Sequence, residues 1–330
     1  MKTLFDETTL RGIRLKNRAW RSATWLGLAD ANGFMTDAII STYETLAEGG
    51  AAVIVTGLTS VSATDAHIGG ECKFYDNRFI DGHRRLTDAV HRHGARILLQ
   101  TAMVDGPVDE LTTAQVDDVV ATFGDAAQRA EQAGYDGVQI HAAHFFYLSK
   151  FISLLFNHRT DGYHGSGILP AILSDMRSKT SDSFLITMKI NSSDEYPGGI
   201  TEDDFLVTSR LMAEAGIDAI EVSANGTSRT GIRAGVNEGS FLEAAAHLAG
   251  EVEVPVVLVG GLRSVEFIGQ VLNNTKVEYI SLSRPLIREP NLINRWQQGD
   301  TAPSKCVSCN GCYRTEGHQC VFTVFPSSMR

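Results

Sequence analysis

Ala133–His144, AGYDGVQIHAAH, carries the reading that decides the fold. Gly134 ends a helical stretch, because glycine takes the left-handed turn there without a steric penalty. GVQIHAA, from Gly137, then runs as a short apolar strand that ends in polar residues. The same unit recurs along the chain. EGG (Glu48–Gly50) and HG (His93–Gly94) also stop a helix just before a strand. Runs rich in β-branched and apolar residues begin at Arg18 (RAWRSATW), Ala51 (AAVIVTGLTSV), Ala95 (ARILLQTAM), Gly137, Phe184 (FLITMKINS), Ala219 (AIEVSAN), Val254 (VPVVLVGGL) and Val277 (VEYISLSR). Near-continuous apolar strands alternating with helices indicate a parallel sheet covered by helices. Eight such units predict closure into a (β/α)8 TIM barrel, in the α/β class. An open doubly wound sheet shares the alternation, but the first segment lacks the GxGxxG turn of its nucleotide-binding form. Local signals agree: Thr201 with Asp204 reads as a capping box, Gly216 as the end of that helix, and Leu206, Met212 and Ala215 as part of its buried side.

With 330 residues and 43% apolar content the chain can bury one large core. A net charge of -10 and a pI near 5.5 argue against a nucleic-acid partner, which needs clustered Lys and Arg. A small-molecule substrate is expected instead. MKTLFDETTL at the start carries acidic residues and no apolar run, and no later stretch approaches the ~20 apolar residues of a membrane span. The expectation is a soluble cytoplasmic protein without a membrane partner.

In a barrel the carboxyl ends of the strands share one mouth, so polar residues that end apolar strands converge. Ser22 and Thr24, Gln100, His141 and His144, Lys189, Ser223 and Asn225 are such residues. Any one alone reads equally as a hydrogen-bonded structural residue. VGGLRS and LSRPL place Gly260, Gly261, Ser283 and Arg284 after the seventh and eighth strands, where this fold commonly holds a phosphate. Glycine lets backbone N–H groups approach the oxygens, and arginine adds a charge-assisted fork. HAAH, if the chain turns after His141, aims two imidazoles at one oxygen; a metal site competes, without a local carboxylate to complete it. Lys189 is a fixed cation or a Schiff-base amine.

KNRAWRSATW, YETLAEGGAAVIVTG, DAVHRHGARILLQ, AGYDGVQIHAAH, FNHRTDGYHGS, KINSSD, PGGIT, DAIEVSAN, VPVVLVGGLRS and SLSRPLIREPNLINRW together resemble the NADH:flavin oxidoreductase, or Old Yellow Enzyme, family. RSATW and the CVSCNGC ending resemble a bacterial subgroup of it. The resemblance implies an FMN-binding barrel over residues 1–300 and a cysteine-containing tail, residues 301–330, packed on it. It implies that Ala23 and Thr24 meet the flavin edge, Gly57 lines the ring, Gln100 hydrogen-bonds it and Lys189 stands by its pyrimidine. Gly261, Ser283 and Arg284 then match the phosphate cradle, and His141 with His144 bind a substrate carbonyl. The implied reaction takes hydride from NADH or NADPH and reduces the C=C bond of an α,β-unsaturated carbonyl compound. Three departures stand out. Phe146 occupies the place of the proton-donating tyrosine, with Tyr147 as the displaced candidate. The loop TAMVDGPVDELT is short, and the usual ENR segment after HGS is missing.

Cys306, Cys309, Cys312 and Cys320 form C-x2-C-x2-C-x7-C, dense enough to suggest metal ligands. The pattern resembles the tail of flavin-linked dienoyl reductases, which hold a 4Fe–4S cluster; zinc and free thiols remain open. Cys72 stands apart as a structural residue. Beside the ene-reductase, two other functions stay in view. One is a barrel lyase or isomerase using Lys189; the other is a degenerate FMN-binding electron-transfer or sensor protein.

Overall fold

The computed structural model describes residues 1–226 and 228–324. Its eight barrel strands are Ala19–Arg21, Val53–Val55, Arg96–Ala102, Gly137–Ala142, Leu185–Asn191, Ala219–Ser223, Val256–Val259 and Tyr279–Leu282. Each pairs in parallel with the next, and the eighth returns to the first through Ile280 opposite Ala19, which closes the barrel. Every one of these strand residues except Arg96 is buried, which is why the strands read as apolar runs without alternation.

Helices fill the outside, beginning with Asp37–Glu48, Ile80–His91 and Thr113–Gln132. The capping box at Thr201 and Asp204 forms, opening Glu202–Glu214, and Gly216 turns the chain out at φ +90°. Leu206 and Met212 are buried under that helix, whereas Ala215 is exposed at its cap. The large apolar cluster between helices and strands includes Leu46, Leu86, Phe123, Ile172, Met212 and Leu272.

A second cluster fills the barrel itself. Thr8–Leu10 and Ile13–Leu15 form a hairpin across Arg11 and Gly12, both with positive φ as a two-residue turn requires. Leu10 and Leu15 plug the amino end of the barrel against Trp20, Leu98, Leu185, Ala219, Val257 and Tyr279. Because alternate strand residues share a face, the next inward positions after Leu98 and Ala219 are Gln100 and Glu221. The barrel interior therefore changes from apolar to polar one layer below its carboxyl mouth.

After helix Leu292–Gln297 the tail folds back over that mouth. Ser304 N–H donates to Arg263 O at 2.8 Å, and Asn310 Nδ2 donates to Ser228 O at 2.6 Å. Among the described residues no helix is long and apolar enough to cross a membrane.

Candidate active site

The mouth opens into a cavity of about 430 Å³, an ordinary size for a ligand site. Ala23, Thr24, Gln100, His141, His144, Lys189, Gly260, Gly261, Ser283 and Arg284 all line it. Strand ends from around the barrel thus meet as the fold dictates.

His141 ends its strand pointing inward, and the chain then turns through two left-handed residues, His144 at φ +62° and Phe145 at φ +60°. Such φ values strain residues with a side chain, and here they swing His144 back beside His141. The rings stand 5.3 Å apart at 83°. Ser223 Oγ lies 2.9 Å from His144 Nε2, while His141 Nδ1 has no partner and faces a buried environment. Burial pushes the His144 imidazole down to about 3, with the Lys189 charge adding to the effect. His141 is held well below its ordinary value by burial, then by His144 and Lys189. Both rings are therefore neutral near pH 7, each with one N–H to donate.

Lys189 Nζ donates to Ser22 Oγ at 2.9 Å and lies 3.4 Å from Glu221 Oε1, inside the barrel. An ion pair in this setting suits a fixed cation better than the free amine that Schiff-base chemistry needs.

The opposite end of the cavity combines a glycine turn with two buried arginines. Gly260 and Gly261 adopt φ +103° and +74°, and a Cβ on Gly261 would stand 2.7 Å from Ser240 Oγ. Arg284 Nη1 donates to Arg229 O and Asn310 Oδ1, and Arg263 to Leu262 O and Ser308 Oγ. Neither guanidinium has a carboxylate ion partner among the described residues, and Arg263 Nε has no hydrogen-bond partner. Two buried cations beside a glycine turn leave charge for a ligand phosphate to satisfy, so the residues present fit FMN.

Three expected residues do not reach the cavity: Asn225 turns its amide to Asp194 O at 3.0 Å, and Gly57 and Tyr147 also lie outside the lining. Gly57 lies behind its wall: its N–H donates to Tyr43 Oη at 2.6 Å, and a Cβ there would stand 2.7 Å from Thr24 O. It allows the Thr24–Trp25 backbone to sit close instead of lining the cavity. Tyr147, buried at the start of helix Tyr147–Ile152, turns its hydroxyl to Pro107 O at 2.8 Å. Phe146 lines the cavity instead, its ring 4.7 Å from that of His141.

Several lining residues escaped sequence reasoning. Arg263 follows the glycine turn directly and could have been found from that position. Trp25, Leu58 and Phe241 supply apolar wall, and Tyr313 and His318 arrive from the tail. No local signal marks the last two, because only the return of the tail over the mouth brings them there.

The four tail cysteines line a separate small cavity together with Arg284 and Arg288. Arg284 therefore forms part of the wall of both cavities. Cys320 Sγ accepts from Arg288 Nη1 at 3.8 Å and Cys309 Sγ from Gly311 N–H at 3.4 Å. Among the described residues, no three Cys, His, Asp or Glu side chains converge as a single metal ion requires. All four thiols are free, so nothing cross-links them away from a ligand role.

The comparisons with known proteins agree with this architecture. The chain is 29% identical over 347 residues to a metal reductase of Desulforamulus reducens, covering 94% of this chain and 51% of that protein. It is 27% identical to the 4,4'-dithiodibutanoate disulfide reductase of Rhodococcus erythropolis, covering 97% of this chain and 94% of that one. The chain thus spans about half the length of the first relative and nearly all of the second. Among solved structures, the Old Yellow Enzyme homologue from Zymomonas mobilis superposes with a TM-score of 0.77 at 19% identity, over 90% of this chain and 93% of that chain. The model of the NADH:flavin oxidoreductase / NADH oxidase family matches residues 3–108 and 103–302, and the chain belongs to that family.

Proposed function

We propose that this chain is an FMN-dependent NAD(P)H oxidoreductase that reduces the C=C bond of α,β-unsaturated carbonyl or related small molecules. The observation that supports this reading is the facing of the His141–His144 pair and Lys189 into one cavity whose other end carries Arg263 and Arg284. In this reading Gly260, Gly261, Ser283 and Arg284 hold the phosphate, with Arg263 as a further cation. Ala23 and Thr24 take the ring edge, and Gln100 and Lys189 its pyrimidine side. FMN held by these residues would supply the hydride chemistry that links NADH or NADPH to the second substrate.

The neutral imidazoles do the polarising. Each offers one N–H to the substrate oxygen, where negative charge develops as hydride arrives at the β-carbon. Phe146 shields one side of His141 and has no proton to give, so the α-carbon takes its proton from water or from another donor. Tyr147 can serve only if its hydroxyl leaves Pro107. This same position favours a second reading, a flavoprotein that transfers electrons or senses redox state without efficient alkene reduction.

For the tail, residues 301–330, we read the four cysteines as holding a 4Fe–4S cluster rather than zinc. They share a cavity yet lack the close approach that one ion needs, and a larger cluster spans a wider gap. Protein purified without oxygen should release FMN on denaturation and show iron by elemental analysis, with a variant carrying serine at all four positions as control. His141→Ala and His144→Ala should keep FMN yet weaken phenol or enone binding, followed by charge-transfer absorbance. Absence of flavin after reconstitution sinks the reading; flavin with unaltered ligand affinity in both variants rejects the role of the histidine pair.

A further inference from the structure

Glu221 lies in the sixth barrel strand, 1% exposed, one layer below the cavity. Both of its oxygens accept: Oε1 from Ser22 Oγ at 2.8 Å and Oε2 from Gln139 Nε2 at 2.8 Å. From these two contacts the bonding continues upward in two arms. In one, Ser22 Oγ accepts from Lys189 Nζ at 2.9 Å. In the other, Gln139 Oε1 accepts from Gln100 Nε2 at 2.9 Å. Lys189 and Gln100 both line the cavity, whereas Gln139 and Glu221 do not.

The chemistry of the end group fixes every direction in these arms. A carboxylate accepts and cannot donate. Ser22 must therefore spend its single proton on Glu221, which leaves a lone pair as the only way to meet Lys189. Gln139 must turn its NH2 toward Glu221, which leaves its carbonyl oxygen to meet Gln100. Gln100 must then turn its NH2 toward Gln139, and its own carbonyl oxygen is left for the cavity. Amide orientation is ordinarily a matter of choosing between two similar fits, but here an acceptor-only group removes the choice. A flipped Gln139 would set its carbonyl oxygen against the carboxylate and its NH2 against that of Gln100, and a flipped Gln100 alone would set two carbonyl oxygens against each other in a buried layer. Leaving such groups unsatisfied is costly.

We infer that Glu221 is a positioning residue that sets the hydrogen-bond polarity Gln100 presents and the place of the Lys189 ammonium, and through them the affinity and reduction potential of the bound flavin. The inference rests on the FMN reading above. A flavin pyrimidine edge alternates carbonyl acceptors with an N–H donor, so it distinguishes the two orientations of Gln100. The same edge gains negative charge on reduction, so it also responds to how far Glu221 offsets Lys189.

The test uses reconstituted holoprotein and three variants. In Glu221→Gln the end group can donate, so the amides of Gln139 and Gln100 can invert. Its FMN dissociation constant should rise about tenfold, the effect of one hydrogen bond lost or opposed. Its two-electron potential should move positive, since the uncompensated ammonium favours the reduced ring. A tenfold preference corresponds to about 30 mV for a two-electron couple. In the exchange variant Glu221→Gln with Gln139→Glu, the acceptor-only group sits one link closer to Gln100, and affinity should return to within about threefold of wild type. Gln139→Met cuts the Gln100 arm alone, and should weaken FMN binding with a smaller change in potential than Glu221→Gln. Wild-type affinity and potential in Glu221→Gln, or wild-type affinity in Gln139→Met, overturns the inference while leaving the FMN reading intact. An exchange variant as weak as Glu221→Gln overturns the polarity relay as well. Failure of the wild-type protein to take up FMN overturns the functional reading itself, and this inference with it.

Discussion

Removing the His144 imidazole should alter how the fold tolerates acid, and the size of the effect follows from its surroundings. In the unfolded chain this group titrates near 6.5, whereas burial beside Lys189 brings it down to about 3 in the native protein. Below 6.5 the unfolded chain therefore binds a proton that the native protein excludes. Stability contributed at this site is full above 6.5 and is lost as pH falls toward 3. Each pH unit in that window is worth about 1.36 kcal/mol, so lowering pH from 7.5 to 5.0 costs about 2 kcal/mol through His144. His144→Gln cannot take up that proton, and its shorter amide retains a means of bonding Ser223. Urea unfolding of the cofactor-free protein at both pH values provides the measurement. The variant is expected to be less stable than wild type at pH 7.5, where packing dominates, but to lose about 2 kcal/mol less on acidification. Equal losses in the two proteins, within about 0.5 kcal/mol, would refute the claim that this imidazole is held neutral in the native protein.

Arg284→Ala should weaken FMN retention by about 1.5 to 3 kcal/mol, read by fluorescence titration, because a charge-assisted contact is lost; unchanged affinity removes Arg284 from the phosphate site. Gly261→Ala should also weaken FMN binding, since the added methyl meets Ser240 Oγ and φ +74° opposes it; wild-type affinity would show that the turn does not cradle the phosphate. Phe146→Tyr should speed single-turnover reduction of enones more than of nitroalkenes, as general-acid help is typically worth ~10² to ~10⁴ and nitronate products need less of it. If Tyr147→Phe alone abolishes enone reduction, the donor is Tyr147 and its bond to Pro107 breaks during turnover.

The barrel was legible because its strands are buried on both faces and announce themselves as apolar runs punctuated by glycine. The first-strand plug was not: Thr8–Leu10 and Ile13–Leu15 are three-residue strands, too short to carry a period. AAVIVTGLTSV reads as one run, yet the strand breaks after Val55, and Thr59–Ser60 resumes as a short strand between Thr101–Ala102 and Cys72–Lys73. At the site, Gln100, His141 and Lys189 could be found as polar residues closing apolar strands. Gln139 and Glu221 sit inside such strands, where a polar residue looks like an interruption until the inward face is known. His144 was found by its neighbour, but the left-handed turn that delivers it has no glycine to advertise it. That turn also decides between Phe146 and Tyr147: it sends one ring into the cavity and the next into the core.

The position of Arg284 between two cavities has a thermodynamic corollary. A side chain that serves as wall for both the anion end of the main cavity and the cysteine cavity cannot adjust to one occupant without changing what it offers the other. Its bond to Asn310, which belongs to the cysteine segment, gives that exchange a mechanical path. Reciprocity then applies: whatever free energy a filled cysteine cavity adds to phosphate binding, a bound phosphate returns to the cysteine cavity in the same amount. Whatever empties the cysteine cavity would thus register as looser phosphate binding, and loss of the phosphate as a weaker hold on the occupant of the cysteine cavity.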